Sequence, residues 1–389
     1  MEFGWNDEQR GFRERVRSFI DEHWTSAARR RSELEPWQRA REYQKRLAEA
    51  GWLTMAWPQE YGGAGASYFE QLIFAEESSY ASAPTGGQGA DRVGPTLIIH
   101  GTEEQRREHL PKIARAEVDW CQGYSEPGSG SDLASLQTRA VRDGDDFVIN
   151  GQKIWTSGAQ HADWIHVLTR TDPAAPKHRG ISYFMVPMST PGISLRPIVQ
   201  LHGAAGFNET FFEDVRVPAR NMIGEENRGW YVSTTTLDFE RSGIHRIAAA
   251  LRPFRRLLAH AQRPDGAGEG RRIADDPTHR RALADTATEI EVGRLLGYRV
   301  TWMQARRLVP NMESSMSKMF GSETQQRLAR RGVNMLGLYG NLRPGEERAP
   351  LGGEFCNYYM SSVSLTIAAG TSEIQRNIIA SRGLGLPRG

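Results

Sequence analysis

The stretch WCQGYSEPGSGSDL, running from Trp120 to Leu133, decides how the rest of the chain is read. It opens apolar and β-prone and ends as a Ser/Gly loop. Gly128 and Gly130 let backbone approach a flat ligand closely and let amide groups converge on an acceptor. Ser125 and Ser131 add hydroxyl donors. Taken alone, the stretch describes a ligand-binding loop and also an ordinary Ser/Gly surface loop.

The texture differs on its two sides. Upstream the chain reads as helical. Phe12, Val16, Phe19 and Ile20 form the stripe of an amphipathic helix that Asn6 or Asp7 can cap. A second helix runs from Pro36 to Gly51, and a third from about Tyr68 to Tyr80. Pro58 with Gly62, Gly63 and Gly65 makes a loop, and Gly101 to Glu104 reads as a helix start with an acidic first turn. Downstream, Asp143 to Asp146 is a turn and Phe147 to Ile149 a strand, and Asn150-Gly151 predicts a hairpin. Ile165–Thr169, Ile181–Val186 and Phe211–Val217 add β-prone runs. Helical texture returns after Gly229, in runs near 230–262, 278–309, 313–332 and 357–381, enough for a four-helix bundle.

Composition sets wide bounds. The 389 residues suit two or three domains. A formal net charge of +2 gives no argument for nucleic acid as a partner. Two cysteines, Cys121 and Cys356, are no disulfide framework. No apolar run approaches a membrane span, and the amphipathic start has no signal-peptide stretch. The expectation is a cytoplasmic protein without a metal site. Lysine is scarce beside arginine: only Lys45, Lys112, Lys153, Lys177 and Lys318 occur.

Several motifs in the same order resemble the acyl-CoA dehydrogenase family over nearly the whole length. They are WLTMAWPQEYGG from Trp52, GYSEPGSGSDL from Gly123, NGQKIWTS from Asn150, Gly180 to Val186, FNETFFEDVRVP from Phe207, and GTSEIQRNII from Gly370. The resemblance implies an α+β multidomain fold: an N-terminal helical domain (1–119), a middle β domain (120–228) and a C-terminal four-helix bundle (229–389). It implies FAD as cofactor, with Gln122, Tyr124, Ser125, Gly130 and Ser131 lining the flavin and Ser131 also at the substrate boundary. Trp155, expected just past a hairpin turn, packs on the ring, and Ser157 bonds its polar edge. Thr371 and Glu373 match the second flavin-contacting turn.

The implied reaction removes a proton α to a thioester while hydride leaves the β carbon for flavin N5. It needs a carboxylate within reach of the α proton and away from water, where burial raises a Glu above its ordinary ~4.3. Many members carry this Glu just before the C-terminal Gly-Thr. Here that position is Ala369. Isovaleryl-CoA and long-chain types supply it from an earlier helix within a D-x-E-R-like stretch. Glu240 in LDFER matches, with Asp238 and Arg241 expected beside the substrate. The Ala369 N–H keeps the expected bond to the thioester carbonyl.

Two family motifs are degenerate. An Arg-x-x-Phe-Gly stretch has no clean counterpart around Arg263, Arg271 and Arg272, and Asn334 to Gly340 reads NMLGLYG. Both normally complete the flavin site across a subunit interface. Either the adenine half is held differently, or a different partner subunit completes it. The implied partners are an acyl-CoA, an electron-transfer flavoprotein and further subunits, in a homo- or hetero-oligomer. The competing readings are a non-catalytic partner subunit and a flavin oxidase or monooxygenase on the same fold.

Overall fold

The computed structural model describes residues 4–25, 34–238, 242–264 and 270–387. The side chains of 235–238 are outside that description. The chain forms two compact units: residues 1–25, 67–83 and 241–389 make one, and 26–66 with 84–240 make the other.

The first unit is helical. α1 (Asp7–His23) starts at Asn6, whose side chain accepts from the Gln9 N–H while Gln9 reaches back, and it buries Phe12, Val16 and Ile20. α3 (Tyr68–Ala81) follows α2 (Pro36–Glu49) of the second unit in sequence and is capped as α1 is, by Ser67 and Glu70. α1 and α3 are tied by charge. Glu76 accepts from Arg13 at 2.5 Å, Arg294 at 2.9 Å and Tyr298 at 3.0 Å, and Arg17 clamps Glu77. The bundle consists of α7 (Ile244–Ala261), α8 (Pro277–Ala305), α9 (Asn311–Met335) and α10 (Glu354–Ser362), followed by the short α11 (Ser372–Ile378). Leu72 of α3 shares their core with Ile247, Phe254, Leu283, Leu328 and Phe355. Gly332 lets the Phe355 ring approach closely: a Cβ there would lie 2.0 Å from it.

Two expected helical runs are broken. The 230–262 run divides into α6 (Gly229–Asp238), in the second unit, and α7, which starts after Gly243 at φ 65°. The 357–381 run stops at Ser362, makes a short 3-10 turn over Val363–Thr366 and resumes at Ser372. Apolar periodicity continues through both breaks, whereas Gly243, Ala369 and Gly370 hold left-handed backbone that a helix cannot contain.

The second unit is built on a seven-stranded sheet: β1 (Trp120–Gly123), β2 (Arg139–Asp143), β3 (Asp146–Ser157), β4 (Trp164–Arg170), β5 (Ile181–Pro187), β6 (Ile193–Ile198) and β7 (Phe207–Pro218). The order is β1-β4-β2-β3-β7-β6, with β5 also on β4. β1 and β4 are parallel, and β3 and β7 form a long antiparallel pair. Cys121, Phe147, Ile149, Ile165, Val167, Phe184 and Val215 fill its core. The same unit holds α2 (Pro36–Glu49), α4 (Gly94–His100) and α5 (Glu103–Ala114). Gln105 of α5 donates to the Arg220 and Met222 carbonyls after β7. His109 meets the rings of Trp120 and Trp164 edge-on. α4 and the π turn over Gly89–Val93 before it are helical elements that the sequence reading missed.

Asn150-Gly151 is not a hairpin. The chain turns at 143–146, where β2 meets β3, and Asn150 lies inside β3. There the register shifts: Ile149 faces Val215 and Gly151 faces Phe212, so β7 bulges by one residue. Asn150 fills the bulge, accepting from the Asp214 N–H at 2.9 Å and donating to its carboxylate at 3.0 Å. Trp155 therefore follows no turn; it lies within the same strand.

Candidate active site

In the second unit the site is built where β1 runs out into the Ser/Gly loop beside β3. Gln122 pairs with His166 across β1 and β4. Tyr124 is buried with its ring edge on His166 and Tyr183. The Ser125 carbonyl accepts from the Ile154 N–H at 2.9 Å, which brings the loop against the residue before Trp155. Glu126 and Ser129 exchange backbone hydrogen bonds at 3.0 Å around Pro127-Gly128. Gly130 and Ser131 are exposed, and a Cβ added at Gly128 or Gly130 would meet nothing within 4 Å. Neither glycine is in the left-handed region. What they contribute is clearance.

Trp155 is the unusual residue. Between Lys153 and Thr156 the β3–β7 register shifts again, this time with the extra residue on β3. Trp155 sits on that bulge at φ 64°, and 55% of it is exposed. A bulky side chain in left-handed backbone costs ~1–2 kcal/mol, and such strain persists where the surroundings impose it. The bulge takes the indole out of the sheet's alternation and presents it on the surface. Ser157 is exposed at the end of β3, where it faces Phe207 in register. A cavity of about 220 Å³ opens beside it, lined by Trp37, Arg41, Gln44, Trp120 and His161 among others.

A buried charge pair that the sequence reading missed anchors this loop. Lys153, fully buried, donates to the Tyr124 carbonyl at 3.1 Å and to the Glu126 carboxylate at 2.8 Å. Glu126 also accepts from the backbone N–H groups of Gln137 at 2.6 Å and Thr138 at 2.8 Å. Burial pushes the Lys153 ammonium down to about 8 against the pull of Glu126. Burial would raise Glu126, but Lys153 and the backbone donors hold it below its ordinary value. Both groups are thus charged at neutral pH. Arg170 binds the far end of the loop through the Ala134 and Leu136 carbonyls. Beneath, His166 lies 2.7 Å from the Tyr183 hydroxyl, and burial pushes it down to about 3, which keeps it neutral.

In the first unit the predicted residues lie on the turn between α10 and α11. Ala369 is exposed at φ 55° and is followed by Gly370 at φ 86°. Thr371 caps α11, its hydroxyl accepting from the Ile374 N–H at 3.2 Å. Glu373 is exposed, and its carboxylate is held below the ordinary range by backbone N–H and the Thr371 hydroxyl. A second buried lysine, Lys318 of α9, holds this turn by the carbonyls of Gly370 at 2.6 Å and Leu365 at 3.3 Å.

Of the residues expected at the substrate, Asp238 ends α6, its side chain beyond the description, and Glu240 and Arg241 lie outside the described residues. Ser317 of α9 binds the Ser242 carbonyl just after them at 2.8 Å. Among the described residues no group of three or more His, Cys, Asp or Glu could hold a metal. No helix there is long and apolar enough to cross a membrane.

Comparison with known proteins identifies the family. Three family profiles match in order: the acyl-CoA dehydrogenase N-terminal domain over residues 6–117, the middle domain over 121–215 and the C-terminal domain over 227–384. The chain belongs to the acyl-CoA dehydrogenase family, whose members are flavin-dependent oxidoreductases. It is similar to acyl-CoA dehydrogenase FadE26 of Mycobacterium tuberculosis, at 40% identity over 90% of this chain and 88% of that one. Among solved structures it is similar to the ChsE4-ChsE5 complex from Mycobacterium tuberculosis, at 37% identity and TM-score 0.90, with 100% of both chains covered. The Tcur3481-Tcur3483 steroid ACAD gives 37% identity, TM-score 0.89 and the same coverage.

Proposed function

We propose that this chain binds FAD and dehydrogenates an acyl-CoA thioester across its α,β bond. The observation that carries the reading is Trp155: a large aromatic, strained and exposed at a β-bulge, next to a loop pinned by a buried ion pair. A flat heteroaromatic ring needs such a flank, and it needs donors at its polar edge. Ser131 and Ser157 fit that edge by type and exposure, half-buried Gln122 and Ser125 fit it by type, Gly130 leaves clearance, Tyr124 is buried against His166 and Tyr183, and Thr371 with Glu373 fits the second contact. When bound, the flavin supplies an acceptor for the hydride from the β carbon.

The chain's own groups do the rest. Glu240 takes the α proton, flanked by Asp238 and Arg241 at the substrate. The Ala369 N–H donates a hydrogen bond to the thioester oxygen as negative charge develops there. Its left-handed conformation sets the direction of that amide. The test is a purification followed by an acyl-CoA panel with a dye acceptor. A yellow protein that reduces the dye with a saturated acyl-CoA supports the reading. A colourless, inactive chain would favour a non-catalytic partner subunit, and rapid oxygen consumption without an acceptor would favour an oxidase.

Two finer proposals follow. The substrate's acyl group is bulky, of the branched, long or steroid-derived kind. Small Ala368 and Ala369 leave space on the turn, and one similar structure is described as a steroid ACAD. The oligomer contains a second kind of chain. The degenerate NMLGLYG motif exposes Leu338 at 89% and Tyr339 at 53%, and a similar structure is a complex of two named chains. Native mass measurement of this chain alone tests the second proposal, and a stable, flavin-loaded homo-oligomer would contradict it. An electron-transfer flavoprotein is the proposed acceptor.

A further inference from the structure

The turn from Val363 to Thr371 is held by two side chains beyond it. Lys318 takes the Gly370 and Leu365 carbonyls, and Nε2 of Gln375 donates to the Ala369 carbonyl at 3.3 Å. Both side chains are buried or nearly so. Ala369 and Gly370 are consecutive left-handed residues, and the first is not glycine. That conformation strains Ala369 and persists only if neighbouring groups impose it. The described chain has no cis peptide, so each carbonyl and the N–H of the same peptide point opposite ways. With the Ala369 and Gly370 carbonyls drawn onto Gln375 and Lys318, the Gly370 and Thr371 N–H groups face away from those side chains. The Ala369 N–H belongs to the preceding peptide, whose carbonyl neither side chain takes, so Lys318 and Gln375 bear on it only by fixing the turn that carries it.

We infer that Lys318 is a positioning residue for the reaction: by holding the Leu365 and Gly370 carbonyls it fixes the left-handed turn from which the Ala369 N–H meets the thioester oxygen. The inference rests on the functional reading above. Lys318 touches neither substrate nor cofactor in this account and acts through the backbone alone. Burial and Arg246 push its ammonium down to about 8, and Glu323 and Glu373 pull the other way. A lysine suits this task because its compact ammonium can donate to two carbonyls at once.

The test compares flavin-loaded wild type with Lys318→Met, Lys318→Gln and Lys318→Arg. The readouts are kcat, KM and the infrared carbonyl band of bound acyl-CoA labelled with ¹³C at the thioester carbon. Lys318→Met is expected to keep its flavin and a KM within about threefold. Its kcat should fall by ~10²-fold, the scale of one lost oxyanion donor. Its carbonyl band should move back toward the position of free acyl-CoA, and Lys318→Arg should recover part of both. If Lys318→Met does not retain flavin, Lys318→Gln decides, with a roughly tenfold fall in kcat expected from a weaker, neutral donor. Parental kcat and an unmoved band in the deciding variant would overturn the inference alone. So would a rise in KM with an unmoved band, which marks general loosening. A wild type without turnover and without a shifted band would overturn the functional reading, and the inference with it.

Discussion

Lys153 and Lys318 perform the same mechanical task in different electrostatic settings. Each is a buried ammonium that donates to backbone carbonyl oxygen in a segment assigned to the cofactor or the thioester, Lys153 to one carbonyl and Lys318 to two. Lys153 faces a carboxylate at 2.8 Å, whereas Lys318 is held by carbonyl dipoles, with Arg246 opposing it. The difference separates anchoring from adjustment. The Glu126–Lys153 pair fixes a loop whose shape is complete within the second unit. Lys318 holds a strained turn with weaker means, so a change there should register in the chemistry before it registers in the fold.

The largest effect is expected at the paired lysine. Lys153→Met leaves Glu126 charged and buried without its counter-ion, which should cost ~3–5 kcal/mol. Chemical denaturation should show it, and a Glu126→Gln, Lys153→Met double variant should recover part of the loss. A single variant as stable as the parent would remove the anchoring role. Lys318→Met leaves two carbonyls without that donor and should cost less, ~1–3 kcal/mol. If it costs more than Lys153→Met, the contrast between the two lysines is wrong.

Smaller effects sharpen the same contrast. Trp155→Ala removes a side chain already 55% exposed, so stability should change by no more than ~0.5 kcal/mol. Flavin affinity, read by titration of the apoprotein, should fall up to about tenfold for the lost ring contact. A large stability loss with unchanged affinity would make Trp155 a packing residue.

The smallest effect is on pH dependence. Lys318 is pushed from 10.5 to about 8 in the folded chain. Between these values the unfolded chain binds more protons, so this group adds stability as pH rises. The gap in denaturation midpoint between wild type and Lys318→Met should therefore widen from pH 8 to pH 10. A narrowing gap would contradict the assigned burial.

Much of this was legible in the sequence. Caps, turns and apolar periods placed α1, α2, α3 and α5 and most strands, because those signals are local. Asn150-Gly151 misled because the same dipeptide serves a hairpin or a bulge. The choice was made by Asp214, some sixty residues away, whose backbone and carboxylate the Asn150 side chain engages. The clamps were missed for a related reason. Lys153 stands in the inward phase of β3 with Phe147 and Ile149, and Lys318 stands on the buried stripe of α9 with Gly321, Gln325 and Leu328. A lysine in a core phase predicts a buried partner, but phase alone cannot name it. In a chain with five lysines among its many arginines, that placement was the available signal. The strain at Trp155 and Ala369 is a tertiary product, with no local sequence mark at all.

The most direct test of the account is anaerobic mixing of the flavin-loaded protein with a saturated acyl-CoA, followed through the visible absorbance of the flavin, in wild type and Glu240→Gln. Bleaching in wild type and a rate lower by ~10²–10⁴ in the variant, with its flavin still bound, is the predicted result. Bleaching at the parental rate in Glu240→Gln would contradict the assigned base, and no bleaching in wild type with any acyl-CoA would contradict the proposed reaction.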